Sequence, residues 1–205
     1  ESTADDFDAY LRLVTKKSEF EGLILDLRGN GGGLLDQAVK VCDLLIEDGV
    51  IVSVVGRDKG KVEREFANKN HTVAKFPMVT LIDGGSASAA EVVAGALQDH
   101  RRSLLMGEIS FGKWSVQTFV PLPDGSGLKF TIAAYFTPSG RSIQAKGIEP
   151  DIIVPADKLV IQDMRRKERD LLHHLEEREQ SQSELAEEIK VWPQMLQEDN
   201  QLVHA

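Results

Sequence analysis

The chain has 205 residues, 41% hydrophobic and 28% charged, enough for one globular domain with a sizeable core and an appendage. A formal net charge of -9 argues against nucleic acid as a partner. No apolar run is long enough to span a bilayer, and no leader pattern is visible at Glu1. The single cysteine, Cys42, has no partner for an internal disulfide and lies on an apolar helix face, which predicts packing rather than chemistry.

Residues 1 to about 20 read as a helix, with Phe7, Tyr10, Leu11 and Val14 at apolar spacing and Ser2 or Thr3 as cap. Gly22 to Leu27 is a short buried strand running into the glycine-rich turn Arg28-Gly-Asn-Gly-Gly-Gly33. Leu34 to Glu47 is an amphipathic helix with Ala38, Val41, Cys42 and Leu45 inward, ended by Gly49. Val50 to Val55 is a strand, and the charged run Gly56 to Asn70 is a hairpin or a mobile loop. Pro77 to Ile82 is a second buried strand, Asp83-Gly84-Gly85 a turn, and Glu91 to Gln98 a helix with Val92, Val93, Ala96 and Leu97 on one stripe.

Ser103 to Met106, Val116 to Leu122 and Leu128 to Phe136 read as further strands, the last two joined by the turn Pro123-Asp-Gly-Ser-Gly127. Strands and helices alternate twice and hairpins follow, which predicts an α/β layered core rather than a doubly wound sheet. From about Ala156 the composition changes. Ile161 to Val191 is charged and helical, with Leu171, Leu172, Leu175, Leu185 and Ile189 as a seam. Such a sparse stripe fits a solvated helix lying back on the domain or a dimerisation arm.

The stretch Ser86-Ala-Ser-Ala-Ala-Glu91 sits at a strand-to-helix junction. Backbone N–H groups there are unpaired and the helix dipole is positive, so the site favours a developing negative charge. Ser88 is a candidate nucleophile, but Ser88-Ala-Ala-Glu91 equally fits a capping box. A nucleophile needs a base. Among the 5 histidines, His100 lies a full helix away, roughly 18 Å from Ser88, and Asp99 roughly 16 Å. His71 falls in the charged loop, and the adjacent His173 and His174 point to different helix faces. All five read as surface residues, and no spacing suggests a zinc site. A lysine can serve when burial lowers its pKa. Most lysines here lie in charge runs. Lys113 instead lies between Phe111 and Trp114 just before a strand, where it is either a base or a chain snorkelling over aromatics.

Together, Asp26-Leu-Arg-Gly-Asn-Gly-Gly-Gly33, Gly85-Ser-Ala-Ser-Ala-Ala-Glu91, Phe111-Gly-Lys113 with Ser115-Val-Gln-Thr118, Gly140-Arg-Ser-Ile-Gln144 and Lys146-Gly-Ile-Glu-Pro-Asp151 resemble the motifs of the carboxyl-terminal processing peptidases, or tail-specific proteases. The likeness runs in order from about Leu23 to Pro155. It implies a Ser–Lys serine endopeptidase on a ClpP/crotonase-like core of ββα units, with residues 1–155 as the core and 156–205 as a helical extension. It implies Ser88 as nucleophile, Lys113 as base, Gln117 as the residue orienting that base, and an oxyanion hole from the N–H of Ala89 with that of Gly31 or Gly32. It implies no cofactor or metal. The partners implied are polypeptide substrates, through their C-terminal regions, and a second copy through the C-terminal helices. The implied location is the periplasm or cell envelope.

Two positions depart from the family pattern. Ala90 replaces a serine, and Trp114 replaces the glycine after the lysine, where a ring narrows the site or helps to desolvate the base. The PDZ domain that usually precedes the first motif is not expected before Leu23. Two rival readings are an acyl-CoA enzyme using the same oxyanion geometry and an inactive peptide-binding scaffold. The glycine turn is no P-loop, because the Lys-Ser/Thr is missing.

Overall fold

The computed structural model describes residues 2–17, 19–56, 62–73, 75–155 and 167–170. The chain runs through α1 (Thr3–Val14), β1 (Leu23–Asp26), α2 (Leu35–Leu45), β2 (Val50–Gly56), β3 (Val62–Phe66), β4 (Met78–Ile82) and α3 (Ala89–Asp99). It continues through β5 (Leu104–Gly107), β6 (Ser115–Pro121), β7 (Gly127–Phe136) and β8 (Ile152–Ile153), with one 3-10 turn at Glu168–Asp170. The described elements form two four-stranded sheets. One is parallel, in the order β1-β4-β5-β8; the other is antiparallel, in the order β3-β2-β7-β6.

The run Gly56 to Asn70 contributes the second arm of a hairpin, since β3 pairs antiparallel with β2. The two-residue β8 escapes sequence reading because it is too short to show a period. Its pairing with Met106 and Gly107 places the Lys146 to Asp151 loop alongside β5.

The core forms between the helices and the two sheets. α3 packs against α2, against β5 of the parallel sheet and against β2 of the antiparallel one. It is therefore buried on every side from Ala89 to Leu97, not along one stripe. Small residues make this possible. A Cβ at Gly95 would already stand 3.2 Å from both Ile148 Cδ1 and Thr137 Cγ2. α1 docks on α2, with the Ala4 N–H donating to Gln37 Oε1 at 3.0 Å. Cys42 is fully buried, which pushes its thiol well above the ordinary range and leaves it inert.

Trp114 turns into this core. It is 1% exposed, meets Tyr135 edge-on at 6.3 Å and packs near Gly95, about two helical turns from Ser88. The stretch Ile161 to Val191 lies outside the described residues apart from Lys167 to Asp170, so the arm, its leucine seam, His173 and His174 fall outside the structural account, as does His204.

Candidate active site

Three loops converge at the carboxyl ends of β1, β4 and β5, the end of a parallel sheet where ligands bind. The first is the glycine turn after β1. The second, Asp83 to Ser88, joins β4 to α3. The third runs from Glu108 to Trp114 between β5 and β6.

Polar contacts lock the three together. Asp83 Oδ1 accepts the N–H groups of Gly29 at 2.8 Å and Gly85 at 2.9 Å. Asn30 accepts the Ala87 N–H on its backbone oxygen at 2.9 Å. Ser86 is fully buried; its hydroxyl donates to the Leu27 carbonyl at 2.8 Å and accepts the Asp83 N–H at 3.0 Å. Its own carbonyl accepts the Phe111 N–H at 2.9 Å. Ser86 is thus a tie between loops, which separates it from Ser88.

Ser88 is half-buried and immediately precedes α3. Its backbone sits at φ 55, ψ -120, a region that non-glycine residues avoid and that clusters at functional sites. The turn places it at the helix N-terminus. The N–H of Ala89, the first helical residue, makes no hydrogen bond among the described residues and remains available to an anion.

The capping and nucleophile readings of Ser88 are compatible. A capping box with Glu91 is present, and in its glutamate half the Ser88 N–H donates to Glu91 Oε2 at 2.9 Å. This bond engages the Ser88 backbone.

Gly32 and Gly31 differ sharply. Gly32 has φ +92, and a Cβ there would meet Ala87 O at 2.6 Å and Ala89 N at 2.8 Å. Its own N–H donates to Asn30 Oδ1 at 2.9 Å. Gly31 faces open space. The structure therefore brings Gly32 to the serine turn and leaves Gly31 apart. At the mouth of this turn, Asp26 and Arg28 form an exposed ion pair of 2.6 Å, and hydrogen bonding to Arg28 holds the Asp26 carboxyl below its usual range.

Lys113 is half-buried beside α3, and its N–H donates to Glu91 Oε2 at 2.9 Å. One carboxylate oxygen thus receives the backbones of both Ser88 and Lys113. The side chains are not joined: no hydrogen bond links the Lys113 amine to the Ser88 hydroxyl or to Gln117. Gln117 is exposed and follows a bulge between Val116 and Gln117 in the β6–β7 ladder.

Glu91 is the functional candidate that sequence reasoning took only as a cap. Its carboxyl is pushed up to about 7 by burial, against the four hydrogen bonds it receives. The available signal was a glutamate inside an alanine-rich, fully apolar helix stretch, a place where an acid survives only with dedicated donors.

The described histidines are remote. His71 pairs with Asp43. His100 is half-buried rather than superficial: Nε2 contacts the Val50 carbonyl at 2.7 Å and the ring lies under Gly49. It caps the far end of α3.

A strained serine at a helix N-terminus, beside a close-packed glycine turn and a lysine loop, on this pair of sheets, defines a serine-peptidase type of core. The model of peptidase family S41 matches residues 1–154, and the chain belongs to that family. A carboxy-terminal-processing protease of Bartonella bacilliformis is 44% identical over 187 residues, which span 88% of this chain and 43% of that protein. The carboxy-terminal processing protease CtpB of Bacillus subtilis is 41% identical over 155 residues, 75% of this chain and 32% of its own length. Among solved structures, a photosystem II D1 C-terminal processing protease superposes with a TM-score of 0.69 at 38% identity, covering 76% of this chain and 40% of that one. Mature CPAF shares the fold at a TM-score of 0.63 and 16% identity, over 96% of this chain and 48% of its own. The chain spans less than half the length of these curated relatives.

Proposed function

We propose that residues 1–155 form the catalytic core of a serine endopeptidase that processes the C-terminal regions of polypeptides through a Ser88–Lys113 dyad. The observation that carries this reading is the Ser88 turn, with its strained backbone beside the free Ala89 N–H and within one shared carboxylate oxygen of the Lys113 backbone.

In the proposed mechanism the neutral Lys113 amine takes the Ser88 proton as Oγ attacks a peptide carbonyl. The Ala89 N–H stabilises the oxyanion, with a second donor from the glycine turn at Gly31 or Gly32. The C–N bond then breaks, and the lysine proton passes to the leaving amine. Water, deprotonated by the same lysine, attacks the ester and frees Ser88. No hydrogen bond joins the amine to the hydroxyl or to Gln117 in this structure, so the Lys113 side chain must form both for the reaction to proceed. Gly32 must also release its N–H from Asn30 if it is the second donor.

The processing proteases among the relatives support polypeptide C-terminal regions as substrates; a cell-envelope location and pairing of two chains through the C-terminal extension rest on the sequence resemblance alone. The test is labelling with a fluorophosphonate probe and peptide mapping. A label on Ser88 that disappears in Lys113→Ala supports the dyad. No label on the folded chain supports an inert peptide-binding core.

A further inference from the structure

Glu91 is fully buried, and among the described residues no other Asp, Glu, Lys or Arg is buried to that degree. Its oxygens are shared out evenly. Oε1 accepts the Ser110 hydroxyl at 2.5 Å and the Gly112 N–H at 2.7 Å. Oε2 accepts the N–H groups of Ser88 and Lys113, each at 2.9 Å. One carboxylate therefore spans the nucleophile turn and the loop that carries the base. The Ser110 oxygen accepts the Ile148 N–H at 2.7 Å, so its proton is directed to Glu91. Gly112, at φ +95, is held from the other side, since its carbonyl accepts the Ala145 N–H at 2.8 Å.

Resting on the Ser88–Lys113 reading, we propose that Glu91 is the positioning residue of this site: as the carboxylate it fixes the Lys113 loop against the Ser88 turn, and on protonation it releases it. All four partners are donors, and three are backbone N–H groups that cannot reverse. A carboxylate with two lone pairs per oxygen satisfies all of them. A neutral carboxyl adds a fifth proton to a cluster without a spare acceptor. The least costly place for that proton is between Oε1 and Ser110, where the hydroxyl must turn its own proton away. The remaining bonds then lose their charge assistance, which roughly halves their strength.

The titratable groups on the segments packed around it are Asp83 before α3, Glu108 after β5, Lys113 before β6, and Lys146 and Glu149 before β8. Burial and the four hydrogen bonds govern its ionisation, with no contribution from a neighbouring charge. Burial holds the midpoint near 7, so neutral pH is where the clamp switches.

The test first uses a readout independent of turnover. Amide exchange of Gly112 and Lys113, as protection factors, is followed across neutral pH in the Ser88→Ala variant. Protection should rise with pH around a midpoint of about 7. Adding Ser110→Ala removes a hydrogen bond that favours the anion, so the midpoint should move to higher pH. Adding Glu91→Gln should leave low protection at every pH. In the otherwise native chain, Glu91→Gln should slow fluorophosphonate labelling of Ser88 by about 100-fold, the scale of a small misplacement. It should also abolish the acid limb near neutrality. Protection that is independent of pH, or a Gln variant that labels like the native chain, overturns the proposal. If the Gln variant does not fold, the Ser110→Ala midpoint decides alone. A native chain that never labels defeats the dyad reading, while the exchange midpoint still judges the Glu91 clamp.

Discussion

Gly32 lies so close to Ser88 that a Cβ on the glycine would stand 2.9 Å from the serine Cβ. The serine turn and the glycine turn are therefore one packed unit, and the space between them is set by a missing side chain.

Gly32→Ala should lose labelling of Ser88 while remaining folded. The added methyl meets backbone atoms of Ala87 and Ala89, which cannot yield as a flexible side chain can. The positive φ adds a cost of about 1 kcal/mol or more for an L-residue. Thermal denaturation and probe labelling measure the two effects separately. Gly31→Ala, with open space around it, should change stability little.

Ser88→Ala and Lys113→Ala should each abolish peptide hydrolysis. Lys113→Arg should not restore it, because a guanidinium stays protonated and cannot accept the serine proton. An acid limb near neutrality belongs to Glu91 rather than to a histidine, and a His100→Gln variant should keep it. Loss of that limb in the His100 variant would transfer the role to histidine.

Ser86→Ala should weaken the fold and leave the labelled position unchanged. The buried hydroxyl answers both the Leu27 carbonyl and the Asp83 N–H; the carbonyl keeps the Asn30 N–H, and orphaning the Asp83 N–H costs about 1–3 kcal/mol. Denaturant midpoints give the loss, and peptide mapping shows whether the label remains on Ser88.

Glu91 should also leave a mark on stability against pH. The folded carboxyl keeps its proton up to about 7, whereas the unfolded group releases it near the ordinary 4.5. Between those values the folded state binds more protons, so stability falls as pH rises, and the full penalty is present above the upper value. The difference corresponds to about 3 kcal/mol. Unfolding free energies of the native chain relative to Glu91→Gln, taken below pH 4.5 and above pH 7, should diverge in that direction. A constant difference across the range would remove burial as the cause.

Much of the fold was legible because its elements are long and periodic. Leu34 to Glu47 alternates with helical spacing and folds as Leu35–Leu45, and the Pro123 to Gly127 turn joins the predicted β6 and β7. The boundaries of α1 shortened to Thr3–Val14, since Thr15 onward lacks apolar support. The reading of α3 as one stripe failed for a physical reason. Alanine and glycine show no amphipathic contrast, yet their small size lets a second helix and two sheets close around them.

The sequence by itself determined which residues are proposed to carry the chemistry: the serine at a strand-to-helix junction, the glycine turn, and a lysine outside any charge run. These are local signals, because nucleophile turns, close backbone approach and unpaired N–H groups depend on residues adjacent in the chain. Only the tertiary structure decided how those parts are held. It turned Trp114 into the core, chose Gly32 over Gly31 as the neighbour of Ser88, and left the Lys113 amine without a hydrogen bond to the hydroxyl. It also gave Glu91 donors that are 19, 21 and 22 residues away in the chain as well as one nearby. A carboxylate's partners are chosen by burial and distance in space, and no spacing in the sequence records them.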